Sequence, residues 1–440
     1  MNKQVQFVAR PGGQVNGTIR VPGDKSVSHR SIILGSIAEG TTRVEGFLEG
    51  EDSLATLQAF RDMGVQIEGP EQGRVTIHGV GLNGLTKPEK PLYLGNSGTS
   101  MRLLAGLLSA QSFPVTLTGD SSLSKRPMNR VAKPLREMGA VVSTGEGGQP
   151  PLEFFGESAL EGAEYQMPIA SAQVKSCLLL AGLYAKGTTK VTEPAPTRDH
   201  TERMLNGFGY SVESEMTPTG KQVSLTGGGV LKAVDIQVPS DISSATFFLV
   251  AAAITPGSNL KLEKVGINPT RIGVINILKL MGADLTLSNQ ADEGGEPVAD
   301  IDIRYAPLTG IDIPVDQVAL AIDEFPALFI AAACADGTTR LSGAEELRVK
   351  ESDRIQVMAD GLTILGVKSE VKDDGIVIEG GAIQSGTVES HGDHRIAMSF
   401  AVAALRSGGE IVINDCANVA TSFPNFVELA NQVGMDVVSS

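Results

Sequence analysis

One pattern recurs six times along the 440 residues and constrains the fold more than any other feature. Each copy has small residues, often Gly-Thr-Thr, then a run of β-formers, and later an apolar residue followed by glycine. The first copy reads IAEGTTRVEG and then FRDMG, and the fifth reads ACADGTTRLSG and then LTILG. Glycine directly after an apolar helix is typical of a left-handed C-cap, so six helices are predicted to end there. The closing glycines are Gly64, Gly139, Gly209, Gly282, Gly366 and Gly434.

The spacing of these glycines shows how much structure each copy must contain. They lie about seventy to eighty-four residues apart, which exceeds the roughly 20 to 50 residues of solenoid repeats. Residues 75–78 and 115–118 alternate as half-buried strands do, whereas Val274, Leu278 and Met281 fall at helical spacing. Each copy is therefore predicted to contain several strands and helices, which gives a mixed α/β fold.

A shorter phrase divides the six copies into two groups of three. Residues 19–26 read IRVPGDKS and residues 236–243 read IQVPSDIS, and each phrase comes before an apolar, helix-like run. The prolines favour extended chain before such a run, as at a joint between domains. We predict two similar α/β domains joined by a two-strand hinge: residues 23–238, and residues 1–22 together with 239–440. Domain interfaces favour small-molecule sites, so we expect substrates to bind between the domains.

Charge and cysteine content limit the partners and the compartment. The net charge is −15 at pH 7, whereas nucleic acids and anionic membranes attract proteins with an excess of Lys and Arg. The three cysteines have no CxxC spacing, so neither a disulfide framework nor a zinc site is indicated. The N-terminus has no signal or transit pattern, and no apolar run approaches the roughly 18 residues of a membrane span. We expect a cytoplasmic monomer that binds neither nucleic acid nor membrane.

Three segments place polar or basic residues just before apolar, helix-like runs. In PGDKSVSHR, residues 22–30, Lys25, Ser26 and Arg30 are candidates for an anion site at a helix N-terminus. In LGNSGTSMR, residues 94–102, the glycines would let backbone N–H groups approach a phosphate or carboxylate. SAQVK, residues 171–175, offers hydroxyl and amide groups. Taken singly, the first segment is explained equally well by a capped helix with two solvated cations, and the second nearly as well by a Gly-Asn turn and a Ser/Thr cap. For the third, an ordinary N-cap is the favoured interpretation.

Two basic segments are equally ambiguous when each is considered alone. SKRPM, residues 124–128, holds two cations before a proline, as many solvated loops do. ELRVKESDR, residues 346–354, has Glu346 and Lys350 at the i,i+4 spacing of an exposed helix. For this second segment, a solvated helix face is the favoured interpretation.

Two further patterns suggest a metal and a dinucleotide, and both are disfavoured. The HxxH of His391 and His394 has no nearby third ligand, so a capping and anion-binding turn is favoured. Residues 79–84 match GxGxxG after a strand, but Pro88 and Pro91 stand where the following helix would run. The dinucleotide interpretation is therefore rejected.

Taken together and in order, these segments resemble the enolpyruvyl transferases, specifically the branch that acts on shikimate 3-phosphate. The motifs that carry the resemblance cover nearly the whole chain, and they are PGDKSVSHR, LGNSGTSMR, SKRPM, SAQVKS, TRDHTERML, DEFPAL, ELRVKESDR, HGDHRIAMSF and ATSFPNF. The resemblance implies two inside-out α/β domains, each of three βαβαββ-like repeats. It implies transfer of the enolpyruvyl group of phosphoenolpyruvate to the 5-hydroxyl of shikimate 3-phosphate, a step of aromatic amino acid biosynthesis. Phosphate would leave through a tetrahedral intermediate, without a metal or organic cofactor.

The resemblance also assigns residues to each substrate. Shikimate 3-phosphate is expected to contact Lys25, Ser26, Arg30, Ser171, Ala172, Gln173, Arg198, Asp323 and Lys350. Phosphoenolpyruvate is expected to contact Lys25, Gly98, Arg126, Gln173, Arg354 and Arg395. Asp323 is the candidate acceptor of the 5-hydroxyl proton, Glu351 is the candidate for proton transfer at the methylene carbon, and Lys25 assists either. Arginine forks match carboxylate and phosphate oxygens, and fixed cations stabilise charge on the transferred group.

Two residues depart from one branch of the family. Thr421 stands where that branch has Lys, and Ala172 stands where it has Ser. Arg198 is a candidate to replace the phosphate contacts that these changes remove. The chain is therefore expected to belong to a different branch.

Two other functions compete with this interpretation. The UDP-N-acetylglucosamine enolpyruvyl transferases normally carry Cys five residues before the loop arginine, where this chain has Ser121. A non-catalytic anion-binding module would share the basic residues but would not need Asp323 and Glu351. The paired hinges and like-charged walls further predict domain closure around both anions, which small-angle scattering should detect as compaction.

Overall fold

The computed structural model describes residues 5–440. Its α-helices are α1 (Lys25–Ile37), α2 (Glu51–Asp62), α3 (Gly98–Leu108), α4 (Asn129–Glu137), α5 (Ala172–Gly182), α6 (His200–Gly207), α7 (Ile242–Ile254), α8 (Gly273–Leu280), α9 (Val315–Val318), α10 (Phe325–Cys334), α11 (Arg354–Ile364), α12 (His394–Ala403) and α13 (Phe426–Gln432). Its β-strands are β1 (Phe7–Arg10), β2 (Asn16–Ile19), β3 (Glu39–Glu45), β4 (Gln66–Glu71), β5 (Arg74–Val80), β6 (Leu92–Tyr93), β7 (Val115–Thr118), β8 (Val142–Thr144), β9 (Leu152–Phe154), β10 (Glu164–Gln166), β11 (Thr188–Glu193), β12 (Glu213–Thr217), β13 (Gly220–Thr226), β14 (Ile236–Gln237), β15 (Asn259–Gly266), β16 (Asp284–Glu293), β17 (Glu296–Arg304), β18 (Thr338–Leu341), β19 (Ser369–Lys372), β20 (Gly375–Glu379), β21 (Gly386–Glu389), β22 (Ile411–Asn414) and β23 (Asp436–Ser439).

The chain divides into two compact units, each with its own hydrophobic core. The N unit comprises Gly23–Val238 and Glu293–Glu296. The C unit comprises the chain up to Pro22, Pro239–Asp292 and Pro297–Ser440. Within the described part of the chain, every helix is too short or too polar to cross a membrane.

The N unit contains three sheets with one shared topology. Their strand orders are β14-β3-β5-β4, β6-β7-β9-β8 and β10-β11-β13-β12. In each sheet the first two strands are parallel and the others pair antiparallel. The run β6-α3-β7-α4-β8-β9 shows the full βαβαββ unit. The first repeat takes its parallel edge strand, β14, from the end of the unit's chain.

The C unit repeats this arrangement and uses the start of the chain to complete it. Its sheets have the orders β16-β17-β15-β2, β18-β20-β19 and β21-β22-β1-β23. Strand β2 pairs parallel with β15, and β1 pairs antiparallel with β22 and β23. In the middle sheet, a parallel bridge from Asp312 to Arg340 occupies the place of the edge strand. The predicted α/β fold with three repeats in each of two units is confirmed.

Each repeat contributes one helix that is buried on nearly all sides. These helices are α1, α3 and α5 in the N unit, and α7, α10 and α12 in the C unit; all thirteen residues of α7 are buried. A helix without a polar face can be stable only inside a core. The close approach of α3 to α5 requires Gly106, because a Cβ there would lie 2.0 Å from the carbonyl oxygen of Cys177.

The second helix of each repeat packs one face against this core and is followed by a glycine. The six closing glycines all have left-handed φ angles, from 77° at Gly209 and Gly366 to 102° at Gly434. The predicted C-caps are therefore confirmed. After β5, residues 81–91 form no helix, so the GxGxxG segment has no helix on which to place a pyrophosphate.

Candidate active site

Many of the predicted site residues lie at the starts of the buried helices. Asp24, Ser97 and Ser171 cap α1, α3 and α5, each accepting a hydrogen bond from a backbone N–H of its own helix. Asp241 and Asp393 do the same for α7 and α12. A helix start presents free N–H groups and the positive end of the helix dipole, which favours bound anions. Ser171 is therefore an N-cap, as the simpler interpretation of the sequence predicted. It also lies at a helix start, where an anion is favoured.

At the start of α1, Lys25 is held by a carboxylate that sequence reasoning missed. The Lys25 Nζ lies 2.8 Å from Oδ2 of Asp52, and the two side chains are 19% and 8% exposed. Ser26 is half-buried and its carbonyl accepts a bond from NH1 of Arg30 at 2.9 Å. Lys25 is therefore partly accessible but already oriented by an ion pair.

Arg30 is buried in a shell of neutral oxygens. Its Nε donates to Oγ1 of Thr201 at 2.7 Å, and its NH2 donates to Oγ of Ser176 at 2.9 Å. Burial lowers the pKa of Arg30 to about 10; the charges of Glu202 and Asp24 act to raise it, and that of Arg198 acts to lower it. Arg198, which is half-buried in the turn before α6, thus adds positive charge at the same place. An anion bound here would relieve both the burial cost and this repulsion.

The starts of α3 and α5 are joined by a hydrogen-bonded group around Gln173. Its Nε2 donates to Oγ1 of Thr99 at 3.1 Å, and its Oε1 accepts a short bond from Arg102. Gly98 and Ala172 are the first residues of α3 and α5, so both stand beside this group. A Cβ on Gly98 would lie 3.0 Å from NH1 of Arg126.

The side chain of Arg126 is anchored from the turn before α3. Its NH2 donates to Oδ1 of Asn96 at 2.5 Å, and Asn96 in turn donates to Asp120 at 2.8 Å. The predicted residues Gly98, Arg126, Ala172 and Gln173 therefore lie in one region of the N unit. Arg102 and Asn96 belong to it as well, although both lie inside a motif that sequence reasoning had quoted for its glycines alone.

A buried chain of hydroxyls with one histidine lies in the core behind these groups. Nδ1 of His29 is 2.8 Å from Oγ1 of Thr56, which is 2.6 Å from Oγ of Ser100, which donates to the Ser97 hydroxyl at 2.6 Å. Burial, followed by the positive charges of Lys25 and Arg30, lowers the pKa of His29 well below its ordinary value. A neutral His29 therefore links α1 and α2 to the cap of α3.

In the C unit the buried guanidinium of Arg354 holds three carboxylates. Its Nε donates to Asp393 at 2.8 Å, its NH1 to Asp323 at 3.2 Å and its NH2 to Glu351 at 2.6 Å. Burial acts to lower the pKa of Arg354, but the charges of Asp393, Glu351 and Asp323 outweigh it and raise the pKa. Both candidate catalytic carboxylates are thus oriented by one rigid fork.

Lys350 and Arg395 complete this group. Lys350 Nζ lies 3.6 Å from Oδ1 of Asp323 and 3.9 Å from Glu346, and Arg395 NH1 donates to the carbonyl of Asp323 at 3.1 Å. The exposed-helix interpretation of residues 346–354 is wrong, because Glu345–Val349 is a single 3₁₀ turn and α11 begins only at Arg354. The turn directs Lys350 towards Asp323 in addition to its i,i+4 partner.

Some sequence features have a structural role only. Within residues 5–440, no group of three or more His, Cys, Asp or Glu is placed to hold a metal ion. Asp393, in the HxxH segment, caps α12 and accepts from Arg354 and Ser352. Thr421 is 4% exposed and donates to the carbonyl of Asn418 at 2.7 Å, so its hydroxyl is used within the fold.

Comparisons with known proteins agree with this fold and these motifs. Residues 9–429 match the family EPSP synthase (3-phosphoshikimate 1-carboxyvinyltransferase). The chain is 63% identical over 442 residues to the 3-phosphoshikimate 1-carboxyvinyltransferase of Hydrogenovibrio crunogenus, covering 100% of this chain and 99% of the relative. It is 64% identical to that of Methylococcus capsulatus, with 99% of each covered.

Solved structures give the same result. The EPSP synthase of Acinetobacter baumannii superposes with a TM-score of 0.89 at 62% identity, with 100% of both chains covered. The enolpyruvyl transferase NikO of Streptomyces tendae shares the fold alone, with a TM-score of 0.79 at 18% identity over 99% of each chain. The family resemblance predicted from the motifs is confirmed: the chain belongs to the EPSP synthase family, the 3-phosphoshikimate 1-carboxyvinyltransferases.

Proposed function

We propose that this protein transfers the enolpyruvyl group of phosphoenolpyruvate to the 5-hydroxyl of shikimate 3-phosphate and releases phosphate. The observation that carries the proposal is the fork of Arg354, which holds Asp323 at 3.2 Å and Glu351 at 2.6 Å. A module that only binds anions gains nothing from two carboxylates beside its cations, since they repel the ligand. A reaction with two proton transfers needs such groups.

The N unit provides the shikimate 3-phosphate contacts in this proposal. Arg30 and Arg198 add their charges at one place, and Arg30 is only 4% exposed. A phosphate dianion would be attracted by both cations in surroundings where water screens little. Lys25, Ser26, Ser171, Ala172 and Gln173, at the starts of α1 and α5, supply the other contacts, together with Asp323 and Lys350 of the C unit.

Phosphoenolpyruvate is assigned to arginines that are already fixed by neighbours. Arg126 is held by Asn96, Arg354 by Asp393, and Arg395 by the carbonyl of Asp323. Lys25, Gly98 and Gln173 complete the set. Cations that need no reorganisation stabilise charge on the transferring group more than mobile ones do.

The proton transfers follow from the two carboxylates. Asp323 takes the proton of the 5-hydroxyl as that oxygen bonds to C2 of phosphoenolpyruvate, while Glu351 gives a proton to the methylene carbon. In the second half Glu351 takes a proton back from the resulting methyl group as the C–O bond to phosphate breaks. The proton on Asp323 leaves with the phosphate. Lys25 assists the transfers as a fixed positive charge.

The forward assay tests the reaction. Phosphate should be released with shikimate 3-phosphate and phosphoenolpyruvate, and release only with UDP-N-acetylglucosamine would contradict the proposal. Replacing Glu351 with Gln should lower kcat by about 10²- to 10⁴-fold, the range of general acid–base catalysis, while both substrates still bind. The matched control is Glu345→Gln, an exposed residue of the same turn, which should leave kcat unchanged.

Isotope exchange separates the roles of the two carboxylates. In D₂O, a reversible methyl intermediate should place deuterium on the methylene carbon of recovered phosphoenolpyruvate. Glu351→Gln should abolish this exchange. If the exchange is lost in Asp323→Asn and retained in Glu351→Gln, the two roles are reversed.

The proposal also covers the compartment, the oligomeric state and the partners of the protein. The protein acts as a cytoplasmic monomer. It has no nucleic-acid or membrane partner, and its net charge of −15 supports this last assignment. Light scattering should give the mass of a single 440-residue chain. A dimer mass that persists on dilution would contradict the monomer.

A further inference from the structure

Glu324, at the start of α10, behaves differently from the residues that start the other buried helices. Those residues each accept a bond from a backbone N–H of their own helix, and they are Asp24, Ser97, Ser171, Asp241 and Asp393. Glu324 makes no such bond to α10, although it is only 2% exposed. Burying a carboxylate is costly unless it is paired and hydrogen-bonded. Its partners must therefore lie on other elements.

The first partners of Glu324 are a hydroxyl and a buried arginine that hold its carboxylate in place. Its Oε1 accepts a short hydrogen bond from the hydroxyl of Ser243 in α7 and lies 3.7 Å from NH2 of Arg271. The same NH2 donates to Ser243 at 2.5 Å and to Asp241 at 3.2 Å. Arg271 is 3% exposed. Oε1 of Glu324 is thus anchored by a buried cation and by a hydroxyl at the start of α7.

The same oxygen of Glu324 also lies near Arg395. NH1 of Arg395 lies 3.9 Å from Oε1 of Glu324, and it donates to the carbonyl oxygen of Asp323 at 3.1 Å. Both contacts use the same terminal nitrogen, so they fix one corner of the guanidinium. The Arg395 side chain remains 11% exposed, which leaves it accessible to a ligand.

We propose that Glu324 is a positioning residue that fixes the guanidinium of Arg395 for phosphoenolpyruvate. The proposal rests on the proposed role of Arg395. Asp393 offers a parallel, since this buried carboxylate at the start of α12 accepts from Nε of Arg354 at 2.8 Å. Each arginine is then oriented by a buried acid from the start of a neighbouring helix. If Glu324 instead merely weakened the positive charge of Arg395, its removal would improve phosphoenolpyruvate binding, so the two roles predict effects of opposite sign.

Steady-state kinetics of Glu324→Gln show whether phosphoenolpyruvate binding becomes weaker or stronger. We expect KM for phosphoenolpyruvate to rise about tenfold, as misplacement of a binding group by a fraction of an ångström can produce. KM for shikimate 3-phosphate should stay within about twofold, because Arg395 is assigned to phosphoenolpyruvate and not to shikimate 3-phosphate. Ser243→Ala, which removes one anchor with less disturbance of buried charge, should raise KM for phosphoenolpyruvate by a smaller factor. The matched control is Asp300→Asn in β17, which loses its pair with Lys261 but should keep the normal KM.

A double-mutant cycle separates positioning from a purely structural role. In an Arg395→Lys background there is no fork to orient, so Glu324→Gln should add little to KM for phosphoenolpyruvate. A fall in KM in Glu324→Gln, or a full tenfold rise that persists in the Arg395→Lys background, would overturn the proposal. If Arg395→Lys alone leaves KM for phosphoenolpyruvate unchanged, the assignment of Arg395 to that substrate fails, and the role of Glu324 fails with it.

Discussion

Arg30 in the N unit and Arg354 in the C unit are both buried, but their surroundings differ. The N–H groups of Arg30 go to two hydroxyls and a carbonyl, whereas those of Arg354 go to three carboxylates. Accordingly the pKa of Arg30 is lowered to about 10, chiefly by burial, whereas that of Arg354 is raised by its acidic neighbours against the effect of burial. Arg30 is therefore compensated only in part, by the charges of Glu202 and Asp24, which do not hydrogen-bond its guanidinium, whereas Arg354 is bonded directly to three carboxylates.

This difference separates two ways of building a cationic site. A buried cation with neutral partners costs free energy that only a bound anion can offset, so it favours tight ligand binding. A cation held by several carboxylates is stable without a ligand and keeps those carboxylates oriented. The N unit is suited to capture of a dianion, and the C unit to holding acid–base groups in place.

The largest expected effect compares the loss of each arginine. Arg354→Met should lower the free energy of unfolding by about 3–5 kcal/mol, because it leaves the buried carboxylate of Asp393 without its cation. Arg30→Met should change it by only about 1 kcal/mol, since Ser176 and Thr201 remain 2.7 Å apart and can bond each other. Calorimetry of both variants measures the difference. If both variants lose the same free energy of unfolding, the different surroundings of Arg30 and Arg354 do not affect stability.

The second prediction concerns stabilisation by substrate. Shikimate 3-phosphate alone, at one hundred times its Kd, should stabilise the protein by about 2.7 kcal/mol through binding linkage. Arg30→Met should remove most of this at the same ligand concentration, because the buried cation proposed to bind the phosphate is gone. The control is Arg43→Met, whose side chain is 69% exposed. Thermal denaturation with and without shikimate 3-phosphate measures the stabilisation. If the ligand stabilises Arg30→Met as much as the wild type, Arg30 does not bind the anion.

The third prediction uses His29, which is buried beside the positive charges of Lys25 and Arg30. Because its pKa is lowered in the folded state, the unfolded chain binds a proton more readily below about pH 6.5. Stability from this group is complete above that pH and is lost as the pH falls, by up to about 1.4 kcal/mol per pH unit. His29→Gln should flatten this part of the stability curve. His78→Gln, whose side chain is 40% exposed, should not, and equal slopes in wild type and His29→Gln would contradict the argument.

Local sequence features allowed prediction of the repeats but not of the partners within the site. The closing glycines and the alternating strands depend on neighbours in sequence, so they could be predicted without a structure. The pairing of β1 and β2 with strands of the C unit was suggested only by the repeated phrase around Pro22. Asp52, Asn96 and Glu324 were missed, because their partners come from other helices or turns and no spacing marks them.

The smallest expected effect is at Gly98. A side chain added there would contact the end of Arg126 in the N unit, which can shift more easily than the buried Arg354. A Cβ there would lie 3.0 Å from NH1 of Arg126 and 3.3 Å from NH1 of Arg102, which are the ends of flexible side chains. Gly98→Ala should therefore raise KM for phosphoenolpyruvate by a few-fold while changing the free energy of unfolding by less than about 1 kcal/mol. Gly207→Ala, where a Cβ would meet no atom within 4 Å, is the control. If Gly98→Ala instead leaves KM unchanged, Arg126 can shift without cost, and fixed geometry at this end of the N unit is not needed for phosphoenolpyruvate binding.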